Sequence, residues 1–168
     1  GYVMDSRPGL YKHVLVLDYK SLYPSIIRTF AIDPLGLILG LQESGQTALS
    51  PGQLPPVPGY LGAHFSRHDP ILPSLIARLW LERDKAKSLQ NDALSRAIKI
   101  LMNSFYGVLG STGCRFFDPR LASSITLRGQ WIMLETRQWL EQAGHQAIYG
   151  DTDSTFVWLQ REDDAEQA

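Results

Sequence analysis

Apolar residues follow three different rhythms along the chain. In His13-Val14-Leu15-Val16-Leu17 they stand side by side, as in a strand covered on both faces, and the run ends at Asp18. Pro24 then suits the first turn of a helix that Ile26 and Ile27 continue. Two more β-type runs, Gln146-Ala147-Ile148-Tyr149 and Thr155-Phe156-Val157-Trp158-Leu159, place Gly150-Asp151-Thr152-Asp153-Ser154 at or beside a hairpin turn. A helical period covers residues 73–89 and resumes past Asn91-Asp92 through Lys99 to Gly107, which predicts two helices paired through a short connection. It returns over residues 119–143, with Leu121, Ile125, Trp131 or Ile132, Leu134 and Trp139 available for a buried face and Gly144 placed to stop it. That last helix is expected to floor the sheet. Residues 41–58, crowded with Gly, Pro, Gln and Ser, read as a surface loop.

Composition narrows this picture. A chain of 168 residues is one domain's worth, with enough apolar residues for a core. The net charge of −1 does not announce a nucleic-acid binder, but it hides two opposite regions. Residues 78–99 hold six bases (Arg78, Arg83, Lys85, Lys87, Arg96, Lys99) against three acids (Glu82, Asp84, Asp92), while Glu162-Asp163-Asp164-Ala165-Glu166 is acidic. Cys114 is the single cysteine, which excludes an internal disulfide or a cysteine-rich zinc site and suits a reducing cytoplasm. A small packed residue is its expected role. His13, His64, His68 and His145 have no ligand spacing. No stretch reads as long and apolar enough to cross a membrane. Gly1-Tyr2-Val3-Met4-Asp5-Ser6-Arg7 lacks a signal-peptide core and reads as if cut from a longer chain.

Three constellations carry candidate chemistry. Asp151 and Asp153 are either a turn whose side chains cap their own backbone or a pair of carboxylates that a metal neutralises. Asp18 is either a turn or helix-capping residue or a third such acid. Lys99, Asn103 and Tyr106, four and three apart, share one helix face, and Arg83 and Lys87 are four apart on the preceding helix. These cations either form a solvated stripe or converge on one anion.

Wording and order unite the three. The chain resembles the family B DNA polymerases: motif A reads Asp18-Tyr19-Lys20-Ser21-Leu22-Tyr23-Pro24-Ser25, motif B runs from Lys99 to Gly107, and motif C from Tyr149 to Ser154. The pair Arg83 and Lys87 matches the family's fingers helix, and the runs over residues 14–37 and 114–126 look most like the bacterial polymerase II branch. The implied fold is α/β (α+β): a palm with an antiparallel sheet backed by helices, plus a helical-hairpin fingers subdomain. Residues 1–40 would be the first palm part, 41–70 a surface connection, 71–110 the fingers pair and 111–168 the second palm part.

The resemblance also implies roles. Asp18 and Asp153 match the direct ligands of two Mg²⁺ ions, for which Mn²⁺ substitutes, and Asp151 an auxiliary acid. Arg83, Lys87 and Lys99 would hold the triphosphate, joined by Asn103 and by Ser21, Leu22 and Tyr23 at the start of the motif A helix. Tyr23 would be the steric gate against ribose, and Tyr106 and Gly107 would meet the nascent base pair and template base. The implied partners are primer-template DNA, deoxynucleoside triphosphates, exonuclease and thumb domains of the same enzyme and, further out, a sliding clamp, in a bacterial cytoplasm at the nucleoid. Without a thumb, the isolated chain is expected to bind DNA weakly and to extend primers poorly. Exposed apolar surface is expected at Val157-Trp158-Leu159 or on the floor helix. Two other readings remain: a non-catalytic DNA-binding fragment and a two-metal nuclease. The nuclease gives no reason for Tyr23 or for the Lys99, Asn103, Tyr106 face.

Overall fold

The computed structural model describes residues 3–45 and 52–160; the acidic run at residues 162–166 and part of the 41–58 loop lie outside them. The fold is mixed helix and antiparallel sheet, as expected, and it divides into two compact units, residues 1–20 with 129–168 and residues 21–128.

In the first unit, strands β1 (Val14–Asp18), β4 (Gln146–Asp151) and β5 (Ser154–Trp158) form one antiparallel sheet in the order β1-β5-β4. β5 is central, and its inward residues Thr155 and Val157 are buried at 3% and 1% exposure. The outer edge of β4 is covered by the N-terminal segment, where Met4 N–H donates to the Gly150 carbonyl at 2.8 Å and Arg7 N–H to the Ile148 carbonyl at 2.9 Å. β1 is an edge strand among the described residues. Its Leu15, Val16 and Leu17 are exposed, which corrects the expectation of a strand covered on both faces: an apolar run reports what a strand can bury, not what lies on it.

Helix α5 (Pro119–Gln142) ends before Gly144, whose φ of +84° suits a residue without Cβ. Leu121, Ile125, Gly129 and Met133, each four apart, form its buried stripe. Trp131, Leu134 and Trp139 are exposed instead, because they fall off that row despite their size. Val157 is also buried and Trp158 and Leu159 half-buried, so of the two places expected to expose apolar surface it is α5, and not the end of β5, that does so.

The second unit begins with α1 (Leu22–Thr29) and α2 (Pro34–Ser44), so the stretch read as loop-like from residue 41 is helical through Ser44. Together Leu22–Ser44 has the length and mean hydropathy, 1.3, of a membrane span, contrary to the sequence reading. The chain breaks it: Ala31 has a φ of 52°, and the two helices of 8 and 11 residues are each too short to cross a bilayer. Asp33 sits in this break with 1% exposure. Its Oδ2 accepts Gly36 N–H at 2.8 Å and its Oδ1 accepts Leu72 N–H at 2.7 Å, so one carboxylate caps α2 and the start of α3 (Ile71–Ser88). α3 therefore begins two residues before Pro73.

Helix α4 (Asp92–Leu109) follows after three residues and is capped by Asn91, whose side chain accepts Leu94 N–H at 3.1 Å. α3 and α4 pair with each other, and α1 packs against both. Strands β2 (Val57–Pro58) and β3 (His64–Phe65) form a short ladder that packs on α2. At Gly40 of α2 a Cβ would lie 2.2 Å from the His64 carbonyl oxygen, so only glycine permits that approach.

Candidate active site

Sheet register brings the acids of the first unit together. Asp18 is paired with Ser154 from one side and Asp151 with Ser154 from the other. Aligned partners project to the same face, so the three form one row, with Asp18 and Asp151 two strand spacings, about 10 Å, apart at their Cα atoms. Asp153 sits in the turn beside them, exposed, and its carbonyl accepts Tyr19 N–H at 2.8 Å. Asp151 also caps its own turn: Oδ1 accepts Thr152 N–H at 2.6 Å and is 3.1 Å from the Thr152 hydroxyl. Among the described residues no three His, Cys, Asp or Glu side chains close into a metal cage. An open row of carboxylates fits a hard cation such as Mg²⁺, which completes its shell with water and substrate oxygens.

In the second unit α1 starts at Ser21, whose φ of 52° turns the chain into the helix without a side-chain cap. Ser21 Oγ instead accepts from Arg83 Nη1 at 3.4 Å. Arg83 is 8% exposed, and its Nε is buried with no hydrogen-bond partner. Among the described residues this cation has no carboxylate partner, and a buried charge in that condition is costly unless an anion joins it. Lys87 and Lys99 are exposed, as is Asn103. Leu22 turns its side chain into the core at 5% exposure, which leaves only its backbone for a ligand.

The Tyr23 and Tyr106 rings lie 4.8 Å apart between centroids, tilted by 53°, so the α1 and α4 motifs meet through their aromatics. Gly107 is exposed, and a Cβ there would meet nothing within 4 Å; the chain itself does not require glycine at this position.

The sequence profile of DNA polymerase family B matches residues 1–168. The chain belongs to DNA polymerase family B. It is 58% identical to DNA polymerase II of Escherichia coli over 168 residues, all of this chain and 21% of that protein. It is 33% identical to a DNA polymerase of Desulfurococcus sp. over 95% of this chain and 21% of that protein. The solved family B DNA polymerase of Pyrobaculum calidifontis superposes with a TM-score of 0.70 at 28% identity, over 96% of this chain and 22% of that one. The family B chain thus spans about a fifth of the length of these relatives.

Two features of this family B chain escaped the sequence reading. Asp33 was signalled by Asp-Pro at a helix start, the pattern of a cap followed by proline at the first helical position. The second is a contact of the Tyr19 hydroxyl, 2.6 Å from Thr136 Oγ1 of α5, which no spacing announces because the residues are 117 positions apart.

Proposed function

We propose that this chain carries the catalytic core of a DNA-directed DNA polymerase, which transfers a nucleotide from a deoxynucleoside triphosphate to a primer 3′-hydroxyl. The observation that carries this reading is the row Asp18, Ser154, Asp151 with Asp153 in the adjoining turn, in a chain of family B. In this reading residues 1–40 and 111–168 belong to the palm, 71–110 to the fingers, and 41–70 connect them. Asp18 and Asp153 hold divalent metal directly, and Asp151, already engaged with Thr152, assists. Two Mg²⁺ ions held there would supply activation of the 3′-hydroxyl and neutralisation of the leaving pyrophosphate.

Arg83 answers the need of its own unpaired Nε by donating to a triphosphate oxygen, while Lys87 and Lys99 add mobile charge and Asn103 a polar contact. Charge that grows on the leaving phosphates is met by Arg83, which Ser21 already orients. Tyr23, supported by Tyr106, occupies the space a ribose 2′-hydroxyl would need. Tyr106 and Gly107 face the nascent base pair, where the open space around Gly107 admits the template base. A bacterial relative supports a cytoplasmic setting; the further partners of this reading are primer-template DNA, the rest of the enzyme and a sliding clamp, with the work done at the nucleoid.

Primer extension by the full-length polypeptide that carries this segment tests the reading. Parent enzyme should add deoxynucleotides in Mg²⁺ or Mn²⁺, and Asp18→Asn should nearly abolish addition. Shortening of the primer without any extension would favour a nuclease, and duplex binding without either would favour a binding fragment. The chain alone, at physiological salt, should extend poorly because it grips few DNA phosphates.

A further inference from the structure

Tyr19 stands between two of the proposed metal-binding acids and makes two ties across the fold. Its N–H donates to the Asp153 carbonyl at 2.8 Å, joining the end of β1 to the turn between β4 and β5. Its hydroxyl meets Thr136 Oγ1 at 2.6 Å, and Thr136 in turn donates to the Ile132 carbonyl at 2.8 Å. Because the threonine proton is spent on Ile132, the tyrosine is the donor in the first bond. A relay of Tyr19, Thr136 and Ile132 therefore fastens the residue after Asp18 to the body of α5.

The peptide linking Asp18 to Tyr19 is planar, so fixing the Tyr19 N–H fixes the orientation in which Asp18 leaves the strand. β1 is an edge strand with an exposed face, held in the sheet only by β5 among the described residues. Such a strand end frays unless something else holds it. We infer that Tyr19 is a positioning residue for metal binding: its hydroxyl, seated on Thr136, holds Asp18 beside the turn that carries Asp153. This rests on the proposed metal role of Asp18 and Asp153. Tyr19 acts through Asp18, its neighbour in the chain.

The test is a Mn²⁺ titration of the full-length polypeptide followed by the electron-spin signal of free Mn²⁺, with thermal melting of each variant alongside. Tyr19→Phe and Thr136→Val each keep shape and delete one partner of the bond. Each should weaken Mn²⁺ binding about five-fold, and the double variant no further, because both remove the same tie. Thr136→Ser, which keeps the hydroxyl, should bind as the parent does. Melting temperatures should stay close to the parent's, since an exposed hydrogen bond contributes little to stability. Parent-like Mn²⁺ binding by Tyr19→Phe, alongside loss of binding by Asp18→Asn, would overturn the inference and leave the metal reading intact. Parent-like binding by Asp18→Asn would sink the metal reading and this inference with it.

Discussion

Tyr23 on α1 and Tyr106 on α4 hold their rings 4.8 Å apart, so a side chain from motif A is braced by one from motif B. Bracing matters if Tyr23 excludes ribose, because a gate that swings aside excludes nothing. Tyr23→Ala should raise ribonucleotide incorporation relative to deoxyribonucleotide incorporation by at least ten-fold, roughly the effect of relieving 1.4 kcal/mol of steric conflict. Tyr23→Phe keeps the ring and should keep the ratio. Competition between ribo- and deoxyribonucleotides in primer extension reads it out, and an unchanged ratio for the alanine variant would reduce Tyr23 to a packing residue.

Removing a carboxylate from the row or from its adjoining turn should be felt in chemistry and hardly in folding. Asp18→Asn and Asp153→Asn should each lower the extension rate by about a thousand-fold or more, since each deletes charge that faces the proposed cations. Asp151→Asn should be severe but milder, because that side chain is also engaged with Thr152. Rates of the first two variants within ten-fold of the parent would reject the assignment.

Arg83 and the exposed lysines should separate in their effects. Lys87→Ala and Lys99→Ala should raise the KM for deoxynucleotides several-fold, with duplex affinity nearly unchanged. Arg83→Ala should do more, lowering kcat as well, because its guanidinium is buried and prepositioned by Ser21. Loss of duplex affinity at constant nucleotide KM would move these cations to a DNA track.

Asp33 governs stability. Asp33→Ala leaves two helix-start N–H groups, Gly36 and Leu72, buried without their acceptor and should cost about 2–4 kcal/mol. Asp33→Asn, which keeps one acceptor oxygen, should lose about half of that. Urea denaturation of the full-length polypeptide, followed as the midpoint shift, measures both.

The start of α5 should show a pH signature. Asp118 accepts Arg120 N–H and Nε at 2.9 Å on Oδ1 and Nη2 at 2.7 Å on Oδ2, and the Arg120 guanidinium pulls its carboxyl below the ordinary value of 3.8. A lowered folded value means the stabilisation is complete above pH 3.8 and lost as pH falls through the folded value. Asp118→Ala should therefore cost about 1 kcal/mol near neutral pH, and the gap to the parent should close as the carboxyl is protonated. A gap independent of pH would assign the loss to packing.

The sequence made the elements of the site legible because their signals are local. Asp18 at a strand end, Asp151 and Asp153 around a hairpin, and Arg83 four before Lys87 on a helix were all placed by period and turn chemistry. What it could not show is burial of the elements and pairing at a distance. β1 looked like an interior strand because Val14 to Leu17 are apolar, yet it lies at the edge. The helical period offered Trp131 and Trp139 for the buried face, yet the four-residue row from Leu121 through Gly129 to Met133 took it. The Tyr19 and Thr136 contact depends on tertiary approach alone. The break at Ala31 was hidden because a left-handed alanine carries no sequence mark.

The pairing of β1 with β5 joins residues more than 130 positions apart, and the whole second unit, residues 21–128, is an insertion between them. Closing so long a loop is only slightly harder than closing one half its length, because the entropy grows with the logarithm of length. Insertions and deletions within the second unit should thus leave the equilibrium of the acid row almost unchanged. The rate is another matter: contacts this distant in sequence form late, so the row should assemble near the end of folding. A newly made chain would hold its helices, and the cations on them, before it holds the carboxylates together.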